Sequence, residues 1–280
     1  MIDTVSLSLI RLALQEDLAG FGDITSRLTV EERAHATARL VAREELVVSG
    51  FPLAQALLTE VDPRIEFDEV VSEGRVAAAG DVLARVLGPA RSVLAAERTF
   101  LNLLARTCAV ATQARRFARA VEGTGAVVVD TRKTTPGLRF WEKRAVRHGG
   151  CGNHRFGLFD LVLIKDNHVT AAGGVREAVA RARRGAPFSV RIEVEVGDEA
   201  GLRQALAAGA DIVMLDNVDP ETMAPLVRLA RAERPGVLLE ASGRISLDTV
   251  RAVAETGVDI ISTSALTMGA PPVDLGLDFV

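Results

Sequence analysis

Every lysine of the chain, Lys133, Lys143 and Lys165, lies between residues 130 and 168. That stretch reads DTRKTTPGLRFWEKRAVRHGGCGNHRFGLFDLVLIKDNH and also holds three of the four histidines, His148, His154 and His168. Elsewhere arginine alone supplies the positive charge. A lysine kept in such a background marks a place where a compact ammonium serves and a planar guanidinium does not. Arg132, Lys133, Arg139, His154, Arg155 and Lys165 together offer what a small substrate with several carboxylates or phosphates requires. Lys165 admits three readings: a Schiff-base nucleophile, a fixed cation for an anionic substrate, or an ion pair with Asp166 or Glu195. Its company favours the fixed cation.

Other residues of the same half could complete such a site. Glu195 and Asp216 suit a magnesium ion that is shared with a phosphate-bearing substrate, since Mg²⁺ takes few protein carboxylates. They could equally hold ribose hydroxyls, or balance the charge of Lys165. Glu193, two residues before Glu195, shares its face of the strand. Ser242-Gly243 and the serines at 262–264 suit a phosphate cradle built from backbone N–H groups. Arg139, Lys143, Arg144 and Arg147 are expected on a solvated helix face or as auxiliaries on the phosphate side. Cys151, in GGCGNHR, is expected to fill a small-residue position without reacting.

These residues need a frame, and the chain supplies one from about residue 125 onward. Apolar runs at 126–129, 161–164, 190–196, 211–215, 237–241 and 258–262 alternate with helical runs at 176–184, 199–208 and 247–256. Parallel strands alternating with helices predict an α/β sheet or barrel. Each strand candidate ends on polar residues, which in a βα barrel gather at one mouth. ALAAGADIVML and AVAETGVDIIS echo one another as helix, glycine cap, aspartate and strand. The first hundred residues read differently. A helix opens the chain, short alternating runs broken by Gly74, Gly80 and Gly88 predict antiparallel sheet, and a helix or helix pair follows over 92–121.

Composition excludes several classes. A net charge of −4, 4% aromatics and no tyrosine argue against a nucleic-acid surface. No apolar run reaches the roughly 18 residues needed to cross a bilayer, and the first twenty lack the marks of a secretory signal. Two cysteines without ligand spacing argue against a disulfide framework or structural zinc, so a cytoplasmic protein is expected.

Nearly end to end, the segments EDLAGFGDIT, AAERTFLNLL, DTRKTTPGLR, EKRAVRHGG, NHRFGL, LIKDNH, EVEV, DIVMLDN, EASG, TGVDIIS and DLGLD resemble the quinolinate phosphoribosyltransferase family. The resemblance implies a type II phosphoribosyltransferase fold of class α/β. An N-terminal α/β sandwich (1–110, joined by the tail 271–280) would precede an open seven-stranded α/β barrel (111–270). It implies transfer of a phosphoribosyl group from phosphoribosyl pyrophosphate to quinolinate with loss of CO₂, using Mg²⁺, in NAD biosynthesis. It also implies a homodimer or larger assembly, acting on small molecules, not on nucleic acid or membranes. By position, Arg132, His154, Arg155 and Lys165 would hold the quinolinate carboxylates, with Arg98 donated by a partner subunit. Lys133 would contact the phosphoribosyl pyrophosphate. Glu195 and Asp216 would hold ribose and magnesium and, with Lys165, form the catalytic set. Ser242, Gly243 and Ser264 would cradle the 5′-phosphate. Arg244 and Ser264 replace glycines usual in the family. The competing readings are a paralogue of the same fold associated with molybdate transport, a Schiff-base aldolase using Lys165, and a phosphate-sugar sensor.

Overall fold

The computed structural model describes residues 2–280, which divide into two compact units. The first comprises residues up to Arg115, together with Thr134–Gly150 and the tail from Gly269; the second comprises Arg116–Lys133 and Cys151–Met268. Residues 134–150, expected with the barrel, thus cluster with the first unit.

In the first unit, α1 (Thr4–Leu18) is capped by Asp3, whose carboxylate accepts from the amides of Val5 and Ser6. After α2 (Ile24–Thr29) come β1 (His35–Ala42), β2 (Leu46–Val47), α3 (Phe51–Val61), β3 (Glu66–Glu69), β4 (Val76–Ala77) and β5 (Val82–Pro89). Then α4 (Ala90–Ala120) runs as one continuous helix, since nothing in its 31 residues breaks the pattern. Leu40, Leu53, Leu57, Leu83, Phe100 and Leu104 are buried together in the core of this unit.

The second unit begins with the end of α4, from Arg116, and β6 (Val127–Val129) follows. Then α5 (Arg139–His148) returns to the first unit, and it corrects the expectation of a solvated cationic face. Lys143 is buried on it, Arg144 pairs with Glu73 at 2.6 Å, and buried Glu142 pairs with Arg106 at 2.7 Å. Of that predicted face, only Arg147 is fully exposed. The second unit continues through β7 (Val162–Ile164), α6 (Asp166–Ala172), α7 (Val175–Gly185), β8 (Ile192–Val196), α8 (Glu199–Ala208), β9 (Ile212–Asp216), α9 (Pro220–Glu233), β10 (Leu238–Ser242), α10 (Val250–Ala254) and β11 (Ile260–Ser262). The tail strand β12 (Leu275–Phe279) belongs to the first unit, pairing antiparallel with β1 in a sheet of order β12-β1-β5-β3.

The parallel sheet has the order β6-β11-β10-β9-β8-β7. Its first strand pairs with its last, and each other strand lies beside its sequence neighbour; this is the order of a barrel left open between β6 and β7. Six strands are hydrogen-bonded where seven were expected. The place of the seventh is held by a single parallel bridge, Gly152 to Val129. A side chain at Gly152 would meet Val127 and Val129 at 3.1–3.2 Å, so glycine eases the approach of the chain there.

Candidate active site

Inward-facing side chains of the second unit converge on a cavity of about 330 Å³, lined by Thr131, Arg132, Lys133, His154, Arg155, Leu163, Lys165, Glu195, Met214, Ser242 and Ser262. These come from the carboxyl ends of strands and the loops after them, where a βα barrel places its chemistry. Four cationic side chains face one carboxylate across it. The cavity is within the range of small-molecule sites, ~300–1,000 Å³. A larger groove of about 490 Å³ runs beside β7, but its walls are mainly apolar (Leu158, Phe159, Leu161, Val162), so the chemistry belongs to the smaller one.

Each cation is held by local structure. Arg132 and Lys133 follow β6 on a turn in which the Lys133 amide donates to Thr131 Oγ1 at 3.0 Å and the Lys133 carbonyl accepts from Thr267 at 2.7 Å. Asp130, fully buried at the end of β6, accepts from the His154 amide at 3.0 Å and from the Asn153 side chain at 2.7 Å. It thereby shapes the loop that presents His154 and Arg155. Burial lowers the pKa of Arg155, and the neighbouring guanidinium of Arg132 lowers it further. Two guanidiniums close enough to repel are relieved by an anion between them. Lys165 caps α6, its amide donating to His168 Nδ1 at 2.9 Å, and its ammonium contacts Glu195 Oε1 at 2.6 Å. The ion pair with Glu195 is therefore present, and it stands at the cavity wall with Lys165 still half exposed.

Below the cations, His154 Nε2 lies 3.2 Å from Glu193 Oε2 and 3.4 Å from Glu240 Oε2, both carboxylates being buried. Burial raises the pKa of Glu193. Burial alone would lower that of His154, but the two carboxylates outweigh it and pull it up. The ring's other nitrogen, Nδ1, accepts from the Arg155 amide at 2.7 Å. An imidazolium would aim a second N–H at that donor, so the Arg155 contact favours a ring with its proton on Nε2, against the pull of the carboxylates toward a second proton.

The strand ends expected to hold a phosphate are also built in detail. Asp216 closes β9 and accepts from Asn217 Nδ2 at 2.7 Å. Gly243 has φ +100°, and a Cβ there would press on Asn217, 2.9 Å from its backbone nitrogen; glycine is required twice over. Arg244 also has positive φ, +48°. An arginine there costs roughly 1 kcal/mol that a glycine avoids. Ser264 opens a short 3₁₀ turn without positive φ, so serine carries no such cost. Ser242 lines both the main cavity and an adjoining one that Gly243 and Asn217 share.

Thus Arg132, Lys133, His154, Arg155, Lys165, Glu195 and Ser242 are brought together, with Asp216 and Gly243 at adjoining strand ends. Ser264 does not line the cavity; its neighbour Ser262 does. Arg98 sits exposed on α4 in the first unit. Among the described residues, the one group of three with metal-ligand types close together is His154, Glu193 and Glu240, not a group containing Glu195 and Asp216. Glu240 was not singled out from sequence, although an acid inside the apolar run VLLEA is a readable signal.

Residues 110–278 match the model of the quinolinate phosphoribosyl transferase C-terminal domain, and residues 23–108 match that of its N-terminal domain. The chain belongs to the quinolinate phosphoribosyltransferase family. Among curated relatives, a probable nicotinate-nucleotide pyrophosphorylase (carboxylating) of Synechocystis is 41% identical over 268 residues, covering 95% of this chain and 90% of its own. The human nicotinate-nucleotide pyrophosphorylase (carboxylating) is 38% identical over 266 residues, covering 94% and 88%. The solved nicotinate-nucleotide pyrophosphorylase of Francisella tularensis superposes with a TM-score of 0.93 at 38% identity, covering 100% of this chain and 98% of that one. In a family member, Cys151 needs no catalytic part: burial pushes its thiol up to about 12. The aldolase and molybdate-paralogue readings find no support in these relatives.

Proposed function

We propose that the chain is a carboxylating nicotinate-nucleotide pyrophosphorylase, joining quinolinate to the phosphoribosyl group of phosphoribosyl pyrophosphate in NAD biosynthesis. The observation that carries this reading is the gathering of Arg132, Lys133, Arg155 and Lys165 around one cavity in a chain of net charge −4. The pyridine nitrogen forms a bond to the anomeric carbon while the bond to pyrophosphate breaks. Arg132, Arg155 and Lys165 hold the dicarboxylate in line for that displacement, and Lys133 faces the phosphoribosyl side. Cleavage of the 2-carboxylate then releases CO₂ and leaves its electron pair on the ring carbon, stabilised by the cationic ring. A proton from Lys165, or from a water beside it, completes nicotinate mononucleotide. No protein nucleophile takes part, and Lys165, drawn to Glu195 as an ammonium, is poorly suited to Schiff-base attack, which needs a neutral amine.

Glu195 and Asp216 fit a magnesium ion in donor chemistry: both offer hard oxygen donors, from adjacent strands. When bound, the ion would offset the charge of the departing pyrophosphate. The reading further includes a cytoplasmic homodimer or larger assembly in which Arg98 of a partner subunit completes the carboxylate site. In support of a soluble setting, no helix among the described residues is long and apolar enough to cross a membrane.

The test incubates protein, Mg²⁺ and phosphoribosyl pyrophosphate with quinolinate or nicotinate and follows pyrophosphate and CO₂. Equal release of both products with quinolinate, and none with nicotinate, is expected. Turnover of nicotinate in place of quinolinate would overturn the reading.

A further inference from the structure

Two of the most heavily buried charged groups of the second unit are left unused by the proposed chemistry. Glu193 is 0% and Glu240 1% exposed, and they come from β8 and β10, on either side of β9. Both send a carboxylate to one atom, His154 Nε2. Among the described residues, no donor other than His154 reaches any of the four carboxylate oxygens. Two acids inside a barrel with a single shared donor are costly to keep, so the arrangement calls for a purpose.

A metal ion is one candidate, since one ligand atom from each residue lies within 4.8 Å of the others. The other face of the imidazole argues against it. Nδ1 accepts from the Arg155 amide at 2.7 Å, so the ring proton resides on Nε2, the atom that would have to bind the metal. A metal-bound histidine donates through its remaining nitrogen, and here that nitrogen faces a donor. What fits both nitrogens is a ring held between a backbone amide and two acceptors.

His154 and Arg155 also line a second cavity of about 290 Å³ that reaches Ile212 and Ile260, at the amino ends of β9 and β11, with Glu240 in its wall. His154 thus stands in the wall of both cavities, between the cationic one and the one that holds Glu240. We infer that Glu193 and Glu240 are positioning residues that clamp His154 through Nε2–H, fixing its tautomer and the wall of the substrate cavity. This rests on the quinolinate reading for its consequence in turnover, but the clamp itself is a property of the protein alone.

Two measurements on the full-length protein separate these levels. In ¹⁵N-histidine-labelled wild type without substrate, long-range ¹H–¹⁵N spectra should show His154 as the Nε2–H tautomer, unchanged by stoichiometric Zn²⁺ or Mn²⁺. An Nδ1–H tautomer, or a metal shift that vanishes in H154A, would overturn the clamp whatever the substrate proves to be. In kinetics, E193Q/E240Q should lose about 10–100-fold in kcat/KM for quinolinate, the usual cost of removing a supporting shell. Adding both changes to H154A should cost nothing more, because the acids act through that ring. Losses that multiply would mean the acids serve the barrel in general, and would sink the proposal. Should the variants not fold, the wild-type tautomer decides alone. A correct tautomer in a protein that ignores quinolinate would instead point to a fault in the functional reading.

Discussion

Lys165 shows how much a single side chain can be asked to do. Its ammonium is drawn to Glu195 at 2.6 Å yet remains half exposed at the cavity, so it can meet a carboxylate and still exchange a proton with water. Arginine would keep the charge and the partner but cannot give up a proton. Lys165→Arg is therefore expected to bind quinolinate within a few-fold of wild type while kcat falls about 100-fold or more, as loss of acid–base help typically costs. Calorimetric binding beside CO₂ release checks it, and an unchanged kcat would assign the proton to another donor. Cys151 makes the opposite case, because its place in a cationic loop suggests reactivity that burial removes. With its thiol pushed up to about 12, only about one molecule in ten thousand is thiolate at pH 8. Iodoacetamide should leave Cys151 unmodified in the native protein and label it once the chain is unfolded, and Cys151→Ala should retain activity. Rapid native labelling by mass spectrometry would contradict this.

Among the elements, the echo between ALAAGADIVML and AVAETGVDIIS has a structural content that periodicity alone could not supply. Asp211 precedes β9 and accepts from the Ile192 amide of β8 at 2.8 Å; Asp259 precedes β11 and accepts from the Leu239 amide of β10 at 2.7 Å. Arg183 of α7 pairs with the first and Arg231 of α9 with the second, each at 2.8 Å, and each also donates to the carbonyl of the glycine two residues earlier. The same joint is used twice, tying helix, glycine cap and neighbouring strand at the end of the barrel away from the cavity. Burial raises the pKa of Asp211, but the Ile192 amide and Arg183 outweigh it, leaving the carboxyl below its ordinary value of 3.8. A depressed folded pKa gives stabilisation that is full above the unfolded value and fades as pH falls through the folded one. Asp211→Asn should therefore lower Tm by a few degrees at neutral pH, with the gap closing below about pH 4 and kcat unaffected. Thermal scans across pH check the sign, and a gap that widened in acid would refute it. Strand positions and the cationic rim were legible because alternation and terminal polar residues are local signals. The burial of Lys143 and the use of Asp130 and Glu240 were not, because each depends on a neighbour distant in sequence: Glu240 meets its histidine 86 residues earlier.

At the scale of the whole molecule, the cations of the second unit form only part of what the family resemblance implies, since Arg98 belongs to the first unit and is exposed there. Large apolar side chains are exposed on both units, Leu158 and Phe159 at 71% and 78% on one, Phe21 and Leu28 at 75% and 81% on the other. Surfaces of that kind are commonly covered in an assembly. If Arg98 serves a partner's cavity, every site draws Lys165 from one subunit and Arg98 from the other. Arg98→Ala and Lys165→Ala homodimers would then each be inactive for a different reason. In a hybrid, the site in the Arg98→Ala subunit keeps its own Lys165 and receives an intact Arg98, whereas the other site lacks both. Random exchange at equal amounts makes half the dimers hybrid with one good site of two, so about a quarter of wild-type activity should return. Subunit exchange is followed by native mass spectrometry and activity by pyrophosphate release. Complete exchange with no gain over the two parents would mean that each subunit builds its site alone, and that Arg98 owes its place in AAERT to something other than catalysis.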